Sequence, residues 1–317
     1  MEFDLIELIR RHTAVSRDDV SLGIGDDAAI VAVPAGRELA IAVDTLVEGI
    51  HFPVGTDPAD IGWKALAVNL SDMAAMGATP AWALLALTTP SGDAAFFDGL
   101  ARGFAEMATP YRLALIGGDT TRGPLTVSVV VHGFTAPGEA LLRSGARVGD
   151  VIMVTGTLGD AAAGLRCLAE ADRSPYTALI ERLNRPTPRV SAGQALRGVA
   201  TACIDISDGL VADLGHICAA SGVGAEIDAA MLPRSSALLT HFADADTIDL
   251  ALGGGDDYEL CFTVPADQAA EVGAVMARIG CGSTRVGRIV EGNSVRVHDE
   301  AGETITLARA GWNHFDA

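Results

Sequence analysis

Lysine is almost missing from this chain of 317 residues: Lys64, in GWKAL, stands alone, and the other basic side chains besides histidine are arginines. That scarcity excludes a Walker-type phosphate loop, which needs Gly-Lys-Ser/Thr after a glycine-rich turn. It also excludes the kinase-type strand lysine, because none of the companion motifs surrounds Lys64. Positive charge as a whole is thin, with 22 Lys and Arg against 41 Asp and Glu and a formal net charge of −19. Such a chain is poorly suited to the phosphate backbone of nucleic acid. Apolar runs such as LTVSVVVHGF stop well short of a membrane span. The five cysteines (Cys167, Cys203, Cys218, Cys261, Cys281) are scattered through apolar contexts without a C-x-x-C pair, a pattern of buried core thiols and not of a zinc site or disulfide framework. The N-terminal MEFDLIELIRR is acidic and amphipathic and lacks the layout of a targeting segment, so a cytoplasmic protein is expected.

What remains is a well-folded composition: 49% hydrophobic residues, 36 glycines and 5% aromatics over a length that accommodates two domains. ELAIAVDTLVEG reads as a strand, with Ala40, Ala42 and Asp44 on one face and Leu39, Ile41 and Val43 on the other. A helix follows, with Asp60 as N-cap, Leu66, Leu70 and Met73 on its apolar face, and Gly77 with Pro80 at its end. Asn69 and Asp72 lie one helical turn apart and can converge. A second helix over 96–108 precedes the strand LALI, a turn GGDTTRG, and the strand LTVSVVVHGF. The Gly- and Pro-bearing stretch 136–150 carries the domain boundary, placed after residue 138. Beyond it strands and helices alternate again. ATACIDI presents Cys203, Asp205 and Ser207 on one face, a helix starts near Asp208 and stops at Gly222, and another lies near 266–279. The last two strands precede the tail GWNHFDA, expected to be ordered by its aromatics. The fold class is therefore α/β or α+β.

The chemistry resides in the carboxylates. Asp26, Asp27, Asp44, Asp72, Asp119, Asp205, Asp208, Asp256 and Asp257 sit at element ends or after glycines. One Asp in such a place is ordinarily a turn residue or a cap. Several facing one cleft repel unless a cation joins them, and magnesium takes hard oxygen ligands, shared with substrate phosphates. An acidic protein can bind a polyanion in this way. GIGDD and GGD lack dinucleotide-fold spacing, yet with Arg122 and Arg143 they offer N–H donors and bidentate cations for phosphate. His51 fits either a packed strand-end residue or a substrate contact, and Trp312 either a core anchor or a stacking platform.

GIGDDAAI, VDTLVEGIHF, KALAVNLSDMAAMGATP, LIGGDTTRGP, RSGARVGD, VTGTLGDAAAGL, RPTPR, IDISDGLVADLGHI, GGGDDYELCFTV and GWNHF occur in that order. From end to end the chain strongly resembles the thiamine-monophosphate kinase family, within the aminoimidazole-ribotide-synthetase-like ATP-binding superfamily. The resemblance implies a two-domain fold: residues 1–138 as an N-terminal ATP- and Mg-binding, dimerising domain, and 139–317 as a C-terminal α/β sandwich domain. It implies a homodimer and ATP-dependent phosphorylation of thiamine monophosphate to the diphosphate, the last step of thiamine diphosphate biosynthesis. Carried over by motif, Asp27, Asp44, Asp72, Asp119, Asp205 and Asp208 are implied to hold Mg2+. Gly118, Asp119, Arg143 and Ser207 are implied to contact ATP, and His51, Asp256 and Trp312 thiamine monophosphate. Two departures stand out. Ala42 and Val43 occupy positions where the family usually has Ser or Thr, so any metal contact there is through backbone carbonyls. Asp256 stands where Glu is common, one methylene shorter. Selenophosphate-synthetase and hydrogenase-maturation types fit less well, since no Cys precedes Cys167 and the tail carries none. A ribotide cyclo-ligase matches fewer motifs, and a non-catalytic relative has no use for the retained acidic set.

Overall fold

The computed structural model describes residues 2–307, 311 and 312, so the tail from 313 lies outside the described residues. The chain forms two compact units, 1–73 with 78–138 and 74–77 with 139–317. The first runs α1 (Glu2–Thr13), β1 (Val20–Leu22), β2 (Ile30–Val31), β3 (Glu38–Val47) and α2 (Pro58–Ala75). It continues through β4 (Thr79–Thr89), α3 (Ala94–Ala108), β5 (Ala114–Arg122) and β6 (Thr126–Thr135). Its main sheet has the order β3-β6-β4-β5, and β4–β5 is the parallel pair.

The alternation of β3 is realised as expected. Leu39, Ile41 and Val43 are 37%, 59% and 61% exposed, while Ala40, Ala42 and Asp44 are half-buried. In α2, Leu66, Leu70 and Met73 are buried. The helix starts earlier than Asp60: Pro58 takes the first helical position, where its missing N–H costs nothing, and Asp57 Oδ1 accepts the Ala59 N–H at 2.8 Å. Asp60 thus lies inside the first turn and is not the cap. The GGDTTRG stretch is also different from expectation. Through Arg122 it continues β5 in parallel register with β4, because Gly118 lets the two backbones meet. A Cβ there would lie 1.8 Å from the Leu85 carbonyl oxygen.

The second unit contains β7 (Val151–Thr155), α4 (Asp160–Cys167), α5 (Thr177–Asn184), α6 (Val190–Ala195), β8 (Ala202–Ile206) and α7 (Leu210–Ser221). Then come β9 (Gly224–Asp228), α8 (Ser236–His241), α9 (Asp244–Gly253), β10 (Glu259–Val264), α10 (Ala269–Arg278), β11 (Ser283–Val290) and β12 (Val295–His298). The six strands pair in the order β12-β9-β11-β7-β10-β8, antiparallel except for β12 with β9. All five residues of β8 are buried, so it is covered on both faces and Ser207 lies just past its end. Ile204, Ile206, Leu214 and Ile217 belong to one core, each contributing roughly 1.5–3 kcal/mol by burial. All five cysteines are buried and unpaired, as expected of core thiols.

Helices α2 and α3 approach through glycine. A Cβ on Gly62 would lie 2.0 Å from the Leu100 carbonyl oxygen, and one on Gly103 would lie 1.8 Å from that of Ala59. Gly103→Ala is therefore expected to destabilise the fold by about 1–3 kcal/mol, seen as a lower urea midpoint. Gly273→Ala in α10, where nothing lies within 4 Å, is the control and should leave the midpoint unchanged or slightly raised. Equal midpoints for the two variants would contradict the close-packing account.

Candidate active site

In the first unit the adjacent carboxylates of GIGDD have separate duties. Asp26 Oδ1 accepts the Asp27 N–H at 2.8 Å and closes the turn, while Asp27 is exposed. Asp44 lies mid-strand in β3, and its N–H donates to Asn69 Oδ1 at 3.2 Å. Asn69 is fully buried and anchors its other end by donating from Nδ2 to the Ala65 carbonyl at 2.9 Å. The helical turn that follows carries Asp72, so Asn69 sets that face of α2 against the strand at Asp44. Asp119 is not brought beside them. The register runs Asp44–Val129–Leu85–Gly118 across the sheet, with Asp119 in the next row beside Ala86. Three inter-strand steps of about 4.8 Å separate β3 from β5.

His51 closes the loop after β3. Its Nδ1 accepts the Val47 N–H at 3.0 Å, and its carbonyl accepts from Lys64 Nζ at 3.1 Å. An accepting Nδ1 fixes the ring as the Nε2–H tautomer, a hydrogen-bond donor on its far side. Lys64 is 3% exposed.

In the second unit, β8 delivers Asp205 (5% exposed) and then the turn Ser207–Gly209. Asp213, one turn into α7, accepts the N–H groups of Ser207, Asp208 and Gly209 at 3.1, 3.0 and 3.1 Å. Burial, and after it the Asp205 carboxylate, pushes Asp213 up to about 7 against the pull of those donors. Two more candidates are tied to the same turn. Asp256 N–H donates to the Ser207 carbonyl at 2.8 Å, and Trp312 N–H to that of Asp208 at 2.9 Å. Trp312 is 47% exposed and so is not a core anchor. Arg143 sits elsewhere: Cys203 N–H donates to the Leu142 carbonyl, at the opposite end of β8 from Ser207.

Asp257, a candidate from sequence, is 1% exposed and structural. Its Oδ2 accepts the Gly159 N–H at the start of α4 at 2.7 Å, while Oδ1 is buried without a partner. Burial drives this carboxyl well above its ordinary range. Sequence reasoning passed over Asp213, Tyr258 and Glu259. Tyr258 Oη donates to Asp256 Oδ1 at 3.0 Å, and Glu259 is fully buried between Arg182 and Arg189. An acidic residue in the first turn of α7 was the one local signal available; the other two pairings need the fold.

Among the described residues no three His, Cys, Asp or Glu side chains gather closely enough to enclose a metal ion. The donors are nonetheless hard carboxylate oxygens, the chemistry Mg2+ selects. An ion that retains water and borrows phosphate oxygens requires only one or two of them.

Family models for "AIR synthase related protein, N-terminal domain" and "C-terminal domain" match residues 25–135 and 147–300. Thiamine-monophosphate kinase of Escherichia coli (strain K12) is 48% identical over 99% of this chain and 98% of its own. The crystal structure of thiamine-monophosphate kinase from Stenotrophomonas maltophilia K279a shares 50% identity over 96% of this chain and 98% of that chain, with a TM-score of 0.88. AaThiL complexed with AMPPCP and TMP matches at 34% identity over 99% of this chain and 97% of that chain, with a TM-score of 0.78.

Removing the Asp213 carboxylate strips three backbone donors of their acceptor. Asp213→Ala is expected to cost about 2–4 kcal/mol in chemical denaturation, and Asp213→Asn, which keeps an acceptor oxygen, clearly less. Indistinguishable losses would show that the turn does not depend on these bonds.

Proposed function

The chain belongs to the thiamine-monophosphate kinase family of AIR synthase related proteins, and on that premise we propose how its residues phosphorylate thiamine monophosphate with ATP. The observation that carries the reading is the near-full-length match to these kinases, combined with the cluster of Asp205, Ser207, Asp208, Asp256 and Trp312 about one turn. Residues 1–138 form the ATP- and Mg-binding, dimerising domain in this reading, and 139–317 the C-terminal domain.

The acceptor is a phosphate monoester with a second pKa near ~6, already mostly dianionic at neutral pH. No general base is needed. An oxygen of that phosphate attacks the γ-phosphorus in line, the bond from the γ-phosphorus to the β–γ bridging oxygen breaks, and ADP departs with the electron pair. No phosphoenzyme forms, because positioning and charge neutralisation suffice. Asp27, Asp44, Asp72, Asp119, Asp205 and Asp208 are the residues that would hold Mg2+. Bound there, the ions would supply positive charge to offset that of the phosphates in a protein of net charge −19. Ser207 offers ATP its hydroxyl and Gly118 its backbone, while Arg143, at the opposite end of β8 from Ser207, is assigned to ATP on the family resemblance alone. His51 offers its Nε2–H to thiamine monophosphate, Asp256 its carboxylate, and Trp312 a half-exposed flat ring.

A homodimer is part of this reading. Leu39, Ile41 and Val43 form an exposed apolar stripe along one face of β3, of the kind that marks an association surface. We place the protein in the cytoplasm because its five cysteines are unpaired, as in a reducing compartment. No helix among the described residues is long and apolar enough to cross a membrane.

A magnesium-dependent ADP-release assay against thiamine, thiamine monophosphate and aminoimidazole precursors tests the activity. Turnover is expected with thiamine monophosphate and not with the others. Asp72→Asn should lower it by about 100-fold or more at unchanged fold stability. Near-normal activity of that variant at saturating magnesium would remove Asp72 from the metal set.

The dimer has its own test. Ile41→Asp with Val43→Asp should convert a dimer into a monomer in sedimentation analysis. A wild-type monomer, or a variant that stays dimeric, would refute the β3 interface.

A further inference from the structure

The segment between α9 and β10 is strained in a way the chemistry described so far does not use. Asp256 has φ +69° and Tyr258 has φ +51°, two left-handed non-glycine residues separated by one position. For a residue as bulky as tyrosine this is an outlier, costing about 1–3 kcal/mol. Such a conformation persists only where its surroundings over-determine it, and here they do. The N–H groups of Asp256 and Tyr258 donate to the carbonyls of Ser207 and Ile206, each at 2.8 Å. Between them, buried Asp257 binds the Gly159 N–H through Oδ2 and accepts Arg182 Nη2 on its carbonyl at 3.2 Å. Immediately after, Glu259 is fixed by both Arg182 and Arg189. The preceding glycines allow the approach: a Cβ on Gly255 would lie 2.6 Å from the Ser207 carbonyl oxygen, and one on Gly254 would lie 2.7 Å from Ala162 Cβ.

With the backbone locked, the remaining freedom at Asp256 is rotation of its side chain. Tyr258, 8% exposed, restricts that rotation by donating Oη–H to Asp256 Oδ1 at 3.0 Å. The left-handed backbone at both positions brings the phenol of residue 258 back over the carboxylate of residue 256. In an extended strand, side chains two apart share a face but stand parallel, and this bond would not form.

We propose that Tyr258 is a positioning residue that orients the Asp256 carboxylate toward thiamine monophosphate, the paired left-handed residues existing to make that contact. The proposal rests on the reading that Asp256 contacts this substrate. Tyr258 touches no reacting atom, so its effect lies in acceptor binding and not in phosphoryl transfer.

Steady-state kinetics of the full-length enzyme, varying ATP and thiamine monophosphate separately, test it. Tyr258→Phe keeps the ring and removes only the donor. KM for thiamine monophosphate is expected to rise by about 2–10-fold, the scale of one lost hydrogen bond, with kcat and KM for ATP within about twofold. Asp256→Ala should raise the same KM, and adding Tyr258→Phe to it should raise it no further. The proposal is overturned if Tyr258→Phe leaves that KM unchanged, or if its effect persists in the Asp256→Ala background. It is also overturned if kcat, both KM values and the unfolding midpoint move together, since that marks a purely structural role. If Asp256→Ala itself leaves the KM unmoved, the substrate assignment of Asp256 falls and the proposal with it. A flat Tyr258→Phe beside an affected Asp256→Ala refutes the positioning role alone.

Discussion

The second unit is organised around one buried charge. Glu259 opens β10 with no exposure, and an uncompensated carboxylate in that position would cost several kcal/mol. Compensation is complete on both oxygens. Arg189 grips it with Nε on Oε2 at 2.6 Å and Nη2 on Oε1 at 2.5 Å. Arg182 adds Nη2 at 3.0 Å, and Thr155 Oγ1 donates at 2.6 Å while accepting the Leu260 N–H. Residues from β7, α5, the segment before α6 and β10 therefore meet at one carboxylate. Gly156 must be glycine beside it: its φ is +56°, and a Cβ would lie 2.2 Å from Glu259 Oε1. The end of the RPTPR motif is thereby explained as structure, not as phosphate recognition.

Within each unit the acidic residues divide by burial. Asp213 and Asp257 are both nearly inaccessible, and both accept backbone N–H donors at the start of a helix, three on Asp213 and one on Asp257. Asp26 does the equivalent for an exposed turn. Asp27 and Asp119 are exposed and Asp44, Asp72, Asp208 and Asp256 half-buried, whereas Asp205, at 5% exposed, falls with the buried group. Adjacent members of a pair fall on opposite sides of this division: Asp27 beside Asp26, Asp256 beside Asp257. One carboxylate shapes the backbone and its neighbour is presented by it.

This division marks where the sequence was legible. Strand β3, the apolar face of α2 and the buried cysteines follow from periodicity and composition, and the structure has them. The helix start at Pro58 was shifted because Asp57 and Asp60 both suit a cap and only the proline discriminates. GGDTTRG carries every mark of a turn, but glycine also permits close backbone contact, and the parallel pairing with β4 decided between the two. The Glu259 clamp joins residues about seventy positions apart, beyond the reach of any local pattern.

The same limit explains why the motif GGGDDYE shows its chemistry only in three dimensions. Read linearly, it offers glycines for flexibility and two acids for a ligand. In the folded unit the loop has little freedom left: close contacts at Gly254 and Gly255, two backbone bonds to the end of β8, and a buried acid on either side of Tyr258. Rigidity of this kind has a cost, carried here by the left-handed Asp256 and Tyr258, and the surrounding ion cluster offsets it. A carboxylate on a mobile loop would lose entropy on every binding event, whereas one held in advance does not. The strain and the buried charge thus form a single device, the second existing to sustain the first.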